Sequence, residues 1–361
     1  MNVTALKAPA DGFVSAFPAT RFDAILVVSF GGPEGMDDVI PFLENVTRGR
    51  NVPRARLEEV AHHYERFDGI SPINAQNRAL ISALRVELDA HDIELPIYFG
   101  NRNWAPFLAD ALRELAADGV ERALAFFTSA YSSYSGCRQY REDLFNAQEA
   151  LGTHAPEVLK TRVFFNHPGW IEANADHVRA ALAQVPAGRE AHLAFTAHSI
   201  PVAMAKACRY EDQLGESARL VAEAVGAADT RLVYQSRSGP AHVPWLEPDI
   251  LDHLLALAGR GVTDVVVSPI GFVSDHLEVL FDLDIEARDT AAALGLNLVR
   301  ASSAGTHPAF VAMIRELIEE RLGRAAGRRA VGRFAASHDV CPVDCCLPGT
   351  GRPSPWPSLT P

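Results

Sequence analysis

The chain has 361 residues, of which 48% are hydrophobic and 22% are charged, a composition typical of one large globular domain or two medium ones. Its formal net charge of −12 argues against a general nucleic-acid binder, which needs a basic surface to displace counterions from phosphates. Because no apolar run approaches the ~20 residues of a membrane-spanning helix, we expect no integral membrane segment.

The chain opens with a segment that does not resemble a signal peptide. Residues 1–21 lack a charged start followed by a long apolar core, so we expect a flexible leader on a cytoplasmic protein. Strand-like runs then alternate with helical patterns, which predicts an α/β fold with parallel sheets. The runs are DAILVVSF (23–30), LPIYFG (95–100), ALAFFTSA (123–130), HLAFTA (192–197), TRLVYQS (230–236) and TDVVVSPI (263–270).

The loops that follow these strands form a weak internal repeat. In the first half they read SFGGPEG, YFGNRNW and FFTSAYSSYSG, and in the second FTAHSIP, YQSRSGP and VSPIGFVSDH. This order predicts two related domains, 22–160 and 161–322, whose strand ends meet at one cleft. The alternative is that any α/β protein yields such matches by chance.

An insertion at 36–70 interrupts the first half. Its sequence predicts two amphipathic helices joined by a basic loop that carries Arg48, Arg50 and Arg54. At the mouth of a cleft this arrangement would suit a large, flat, apolar ligand with acidic edges. A solvated turn with ordinary surface charges is the alternative.

Four carboxylates follow the last strand-like run of the second half. Asp275, Glu278, Asp282 and Glu286 are spaced +3, +4 and +4, which places them in one row on one face of a helix. Like charges at this spacing repel, and the other positions of the helix are almost all apolar. We therefore predict a buried path for cations or protons, with an acidic stripe facing solvent as the alternative.

A histidine, His198, directly follows the strand-like run HLAFTA (192–197). Taken alone, such a residue is more often structural. Because Glu278 begins the helix after the third strand of the same half, the two side chains can face one cleft, and a His–Glu pair suits acid–base chemistry or a divalent metal. In the first half, Arg138 lies at a predicted helix start where it could hold a ligand carboxylate.

The last part of the chain, 323–361, is rich in Gly, Pro, Arg and Ser, which predicts a flexible tail. Three of the five cysteines lie close together there: Cys341, Cys345 and Cys346. In a cytosolic chain this clustering indicates metal or cluster ligation rather than a disulfide framework.

These segments together resemble ferrochelatase, in particular the actinobacterial type that acts on coproporphyrin III. The resemblance spans about 22–322 and is carried by SFGGPEG, FLENVTRGR, ISPIN, YFGNRNW, AYSSYSGCRQY, TAHSIP, YQSRSGPAHVPWLEPD and SPIGFVSDHLEVLFDLDIE. It implies two Rossmann-like halves around a porphyrin cleft and insertion of Fe²⁺, the substrate metal. A downstream heme-pathway enzyme is an expected partner.

The resemblance also implies roles for individual residues. His198 matches the family's invariant histidine and Glu278 its metal-side glutamate, while Ser71 and Tyr140 match positions that contact the tetrapyrrole. Some relatives carry a tyrosine where this chain has Phe30, which cannot ligate iron. Arg48, Arg50 and Arg138 are further candidates for the porphyrin carboxylates, and these arginines favour coproporphyrin III over protoporphyrin IX.

Some ferrochelatases hold a [2Fe–2S] cluster with three cysteines of a C-terminal extension and one internal cysteine. Here the resemblance implies Cys341, Cys345 and Cys346, with Cys137 as the preferred fourth ligand and Cys208 as the alternative. A zinc site and free thiols are the other interpretations of this tail. For the whole chain, the rival functions are a cobalt or nickel tetrapyrrole chelatase and a non-catalytic tetrapyrrole carrier.

Overall fold

Two parallel four-stranded sheets form the framework of the chain in a computed structural model that describes residues 21–49, 52–240 and 242–349. The first sheet contains β1 (Ala24–Ser29), β2 (Ile97–Asn101), β3 (Arg122–Phe127) and β4 (Glu157–Lys160), and the second contains β5 (His192–His198), β6 (Thr230–Gln235), β7 (Asp264–Ser268) and β8 (Asn297–Arg300). The spatial orders are β2-β1-β3-β4 and β6-β5-β7-β8. In each sheet the first strand along the chain lies between the second and the third, and the fourth lies at the edge beside the third. The predicted pair of parallel α/β halves is therefore confirmed.

Helices connect the strands and cover both faces of each sheet. They are α1 (Met36–Val46), α2 (Arg54–Glu65), α3 (Ile73–Asp89), α4 (Leu108–Ala117), α5 (Gln139–Leu151), α6 (Pro168–Leu182), α7 (Val202–Ala205), α8 (Tyr210–Val225), α9 (Ile250–Gly259), α10 (Leu277–Val279), α11 (Arg288–Ala293) and α12 (Pro308–Leu322). Two π-helical stretches, Tyr134–Arg138 and Leu280–Ala287, and a 3₁₀ turn, Gly152–His154, complete them. Because α10, the second π-helical stretch and α11 follow one another directly, 277–293 forms one continuous helix, the Glu278 helix. None of the helices in the described ranges combines the length and the apolar character needed to span a bilayer.

The central strands explain why the sequence reads as continuous apolar runs. Every residue of β1 and of β7 is buried, because helices pack on both faces of a parallel sheet. The edge strands β4 and β8 are more exposed. The largest core cluster contains residues of both halves, including Phe126, Trp170, Phe195 and Phe310, so the halves share one interior.

Helix α12 links the two halves. It packs on α6, which itself packs on α8 of the second half, and on α3 of the first half. His167 caps the start of α6 and its Nε2 lies 3.2 Å from Glu316 of α12, while His307 caps α12 and its Nε2 lies 3.3 Å from Asp176 of α6. The two contacts are reciprocal and join the helices at both ends.

The first part of the C-terminal extension packs against the second half. The Asn166 side chain donates to the Phe334 carbonyl at 2.7 Å, and the Phe334 ring contacts Phe165 with centroids 6.0 Å apart. Farther along, Asp339 forms a nearly buried ion pair with Arg321 at 3.2 Å. Packing, a hydrogen bond and an ion pair therefore hold the part of the extension that precedes its cysteines.

Candidate active site

His198 and Glu278 lie side by side at the end of the second sheet. His198 is the last residue of β5 and Glu278 lies in α10, and their Nε2 and Oε2 atoms are 3.5 Å apart. The Nδ1–H group of His198 donates a hydrogen bond to the Ser199 carbonyl oxygen, 2.5 Å away. In the neutral ring Nε2 therefore carries the lone pair and faces the carboxylate. Both side chains keep access to solvent, with 34% and 52% of their surface exposed.

Each member of this pair shifts the pKa of the other. Burial lowers the pKa of His198, but hydrogen bonding and attraction to Glu278 outweigh it and raise the pKa above its ordinary value. Burial raises the pKa of Glu278, but the His198 ring outweighs this effect and brings the pKa to about 2. Glu278 is therefore a carboxylate at neutral pH, and it favours a proton or a cation at His198.

The acidic row continues along the Glu278 helix. Asp282 accepts hydrogen bonds from the Ser236 hydroxyl and, at 3.2 Å, from the Gln235 amide. Burial raises the pKa of Asp282 to about 7, although the hydrogen bond from Ser236 acts to lower it. Burial also raises the pKa of Glu286. Since a spacing of four residues lies close to one turn of either helix type, the π-helical stretch keeps these carboxylates on one side. Asp282 can therefore hold a proton near neutral pH.

Asp275 has a different environment from the rest of the predicted row. Its carboxylate pairs with Arg300 at 3.1 Å, with 14% and 16% of the two side chains exposed. Its backbone N–H donates to the Gln76 side chain of the first half at 2.8 Å. Asp275 therefore pairs with Arg300 and also links the second half to Gln76 of the first. Its part in a proton or metal path stays a prediction.

The helical insertion supplies an apolar wall beside the pair. One buried cluster joins α1 and α2 to the start of the Glu278 helix: Val39, Phe42, Leu43, Leu57, Tyr64 and Leu277. Phe30 and Trp104 pack against this cluster. His63 stacks flat on Phe281 of the Glu278 helix, with centroids 3.9 Å apart and an interplanar angle of 5°. The insertion thus brings aromatic surface from the first half to the Glu278 helix of the second.

The predicted porphyrin contacts lie in several environments. Ser71 is buried and packs against Gly32, where an added Cβ would lie 2.6 Å from that of Ser71. Tyr140 is buried under the Arg102 guanidinium, 4.6 Å from its ring centroid. Arg48 is exposed at the end of α1, and Arg50 lies outside the described residues. Contact of these residues with a ligand stays a prediction.

Arg138 faces the C-terminal extension. Its guanidinium donates to the carbonyls of Val343 at 2.6 Å and Cys345 at 2.9 Å, and pairs with Glu142 at 2.8 Å. Only 4% of the Arg138 side chain is exposed. These contacts anchor the cysteine segment, while the predicted contact with a porphyrin carboxylate stays untested.

The structure brings Cys137 to the cysteines of the extension. Hydrogen bonding from Cys137, and then from Cys345, lowers the pKa of Cys341. The Sγ atoms of Cys345 and Cys346 are 3.3 Å apart. The fifth cysteine, Cys208, instead donates to the carbonyls of its own helical turn at 3.3 and 3.4 Å. Cys137 of the first half therefore lies beside Cys341 of the extension, and Cys345 lies next to Cys346.

Sequence reasoning missed several partners of the site. Ser236 and Gln235 end a strand whose loop the repeat already directed to the cleft, so a signal for them existed. Nothing in the sequence indicated that Arg300 would engage Asp275 or that His63 would stack across the halves, because both contacts join residues that are distant in the chain.

Comparison with solved structures identifies the fold. SirB from Bacillus subtilis, solved with Fe³⁺, matches with a TM-score of 0.54 at 13% identity, covering 83% of this chain and 97% of that one. The sirohydrochlorin chelatase SirB from Bacillus subtilis subspecies spizizenii, solved with cobalt, matches with a TM-score of 0.50 at 11% identity, covering 86% and 99%. The chain therefore has the fold of metal chelatases.

The family follows from comparison at the sequence level. The family model described as Ferrochelatase matches residues 22–322. A ferrochelatase of Rhodopirellula baltica is 57% identical, with 92% of this chain and 95% of the relative covered. Coproporphyrin III ferrochelatases of Nocardia farcinica and Streptomyces griseus are 55% and 52% identical, covering 90% and 92% of this chain and 97% and 95% of their own lengths. The chain belongs to the ferrochelatase family, and the predicted enzyme class, a metal chelatase of the lyase type, is confirmed.

Proposed function

We propose that this ferrochelatase inserts Fe²⁺ into coproporphyrin III to give coproheme. The His198–Glu278 pair carries the proposal: it sets the Nε2 atom of His198 3.5 Å from a carboxylate at the end of a sheet. The relatives named above as coproporphyrin III ferrochelatases support this choice of porphyrin. Protoporphyrin IX remains the rival substrate, since the Rhodopirellula relative is named only as a ferrochelatase.

The reaction defines what the residues must do. Fe²⁺ replaces two pyrrole N–H protons, so the products are the iron porphyrin and two protons. In our proposal the Nε2 lone pair of His198 accepts a proton or binds the metal, and Glu278 balances the positive charge. Asp282 and Glu286 then pass protons away from the ring, because burial holds their pKa values above the ordinary range.

The apolar wall and the basic groups have complementary roles in this proposal. The aromatic surface of the insertion would contact the ring face, and Ser71 and Tyr140 would line the pocket. Arg48 and Arg50 would pair with propionates at the rim. Phe30 offers no metal ligand, so the groups facing iron come from the second half.

An anaerobic assay with purified protein and Fe²⁺ tests the substrate and the reaction together. The loss of the free-base spectrum would be followed for coproporphyrin III and protoporphyrin IX in parallel. Faster turnover of coproporphyrin III supports the proposal, and turnover of protoporphyrin IX alone overturns the choice of substrate. Tight binding of either porphyrin without turnover would favour a carrier.

We further propose that Cys137, Cys341, Cys345 and Cys346 hold a [2Fe–2S] cluster. Cys137 lies beside Cys341, Cys345 lies beside Cys346, and Arg138 holds the segment that carries three of these thiols, which supports the four ligands that such a cluster needs. Iron and acid-labile sulfide content and the visible spectrum of the purified protein test this. Stoichiometric zinc without sulfide would contradict it. The cytoplasmic location and the downstream heme-pathway partner stay predictions from the sequence.

A further inference from the structure

Glu278 borders the face of its helix that meets the insertion. Leu277 belongs to the buried cluster that contains α1 and α2 side chains, and Phe281, four residues on, stacks on His63 of α2. Residues four apart lie on one face of a helix, and residues three apart are neighbours. Because Glu278 precedes Phe281 by three residues, its side chain lies next to the ring on which His63 stacks.

The insertion holds His63 in a defined position. Two hydrogen bonds tie α1 to the loop after β2: the Trp104 indole N–H donates to Asp38 at 3.2 Å, and the Asn45 amide donates to the Asn103 carbonyl at 2.8 Å. Helices α1 and α2 pack on each other, so these bonds also fix α2. The first half therefore presents the His63 ring to the Glu278 helix from a fixed support.

The ring nitrogens of His63 are free to bind a ligand. The ring is half-buried, and a stack with an interplanar angle of 5° leaves Nδ1 and Nε2 at its edge, beside the Phe281 face. In the part of the chain that the structure describes, neither nitrogen has a hydrogen-bond partner, whereas the neighbouring His62 contacts Glu65 at 2.9 Å. Burial, and then Arg56, lower the pKa of His63, so the ring is neutral at pH 7 and keeps a lone pair.

Glu278 is bordered by one histidine from each half. Burial acts to raise the pKa of Glu278, and His198, His276 and His63, in that order, bring it down. A cation at His63 is therefore attracted to the same carboxylate that lies 3.5 Å from His198. Imidazole suits iron as a ligand, and a carboxylate supplies the balancing charge. These donors lead from the half-buried His63 ring to the pair at the end of the second sheet.

We propose that His63 is the entry ligand of the substrate metal: its imidazole takes Fe²⁺ from solvent at the rim of the cleft, and the metal then passes to Glu278 and His198. The transfer exchanges water and side-chain ligands on Fe²⁺ without a change of oxidation state. This rests on the iron insertion proposed above and adds a metal-binding residue from the first half to it.

The experiment separates metal binding from packing. His63→Phe keeps a flat ring against Phe281 and removes both nitrogens, whereas His63→Ala removes the ring as well. The matched control is His62→Phe, the same change at the next position, where the side chain is 69% exposed. KM for Fe²⁺ and kcat are measured anaerobically at saturating coproporphyrin III, together with porphyrin affinity and thermal unfolding. Equilibrium dialysis measures Fe²⁺ binding to the porphyrin-free proteins. His63→Leu replaces His63→Phe if the latter does not fold.

The proposal expects KM for Fe²⁺ to rise at least about tenfold in His63→Phe, with kcat within about twofold, porphyrin affinity unchanged and wild-type values in His62→Phe. A wild-type KM in His63→Phe overturns it, and a defect confined to His63→Ala would assign the ring to packing alone. An equal rise in His62→Phe also overturns it. If the wild type turns over neither porphyrin, the proposed reaction fails and dialysis decides the metal site: weaker Fe²⁺ binding in His63→Phe supports it, and equal binding refutes it.

Discussion

Replacing Glu278 by Gln tests the central chemical proposal. The substitution keeps the size of the side chain and removes the charge that faces His198 at 3.5 Å. Because Glu278 supplies the main interactions that raise the pKa of His198, the substitution should lower this pKa and favour the neutral ring, which retains its lone pair. A loss of activity would therefore report on the carboxylate itself.

A positioned acid–base group contributes about 10²–10⁴ to the rate. At 1.36 kcal/mol for each tenfold change, this corresponds to about 3–5 kcal/mol in activation free energy. We expect kcat for iron insertion to fall by that factor in Glu278→Gln, while the affinity for free porphyrin changes by less than about threefold.

The matched control is Asp289→Asn, which makes the same charge change at an exposed position of the same helix. It should alter kcat by no more than about twofold. Both variants are assayed anaerobically with Fe²⁺ under saturating porphyrin. A Glu278→Gln enzyme that keeps more than a tenth of wild-type kcat would refute the role of the Glu278 carboxylate in iron insertion. An equal loss in Asp289→Asn would show that removing any negative charge from this helix slows the reaction.

Three further predictions concern stability and the extension. Burial raises the pKa of Asp282 to about 7, so the folded chain keeps a proton that the unfolded chain loses above its ordinary pKa of 3.8, and stability declines as the pH rises through this window. Asp282→Asn should therefore unfold at higher urea than the wild type near pH 8, with the gap closing near pH 4; no gap at either pH would contradict the buried carboxyl. Glu320→Gln breaks the pair with Arg162, whose side chains are 5% and 0% exposed, and should cost about 3–5 kcal/mol of unfolding free energy. The exposed-pair control Glu157→Gln should cost at most about 1 kcal/mol in the same denaturation assay. Arg138→Met should speed hydrogen exchange in 336–349 and leave porphyrin affinity intact, whereas weaker porphyrin binding with unchanged exchange would place Arg138 at the ligand.

The sequence by itself determined the architecture and the positions of His198 and Glu278 at the ends of their strands and loops. The apolar strands required helices on both faces, and the repeated loops required two equivalent sheets, so the strand-end position of His198 followed from local pattern alone. The four-residue spacing of Glu278, Asp282 and Glu286 likewise kept them on one side of the helix, although the π-helical stretch was not foreseen.

Only the tertiary structure decided which neighbours these side chains meet. Asp275 shares the spacing of the row, yet its carboxylate is engaged by Arg300, and Arg138 is held by the extension. Likewise, reciprocal His–carboxylate contacts join α6 to α12, and α12 also packs on α3 of the first half. Spacing along one helix or strand determines the face on which a side chain lies. The partner that the side chain meets comes from another part of the chain, so its identity depends on how the halves pack.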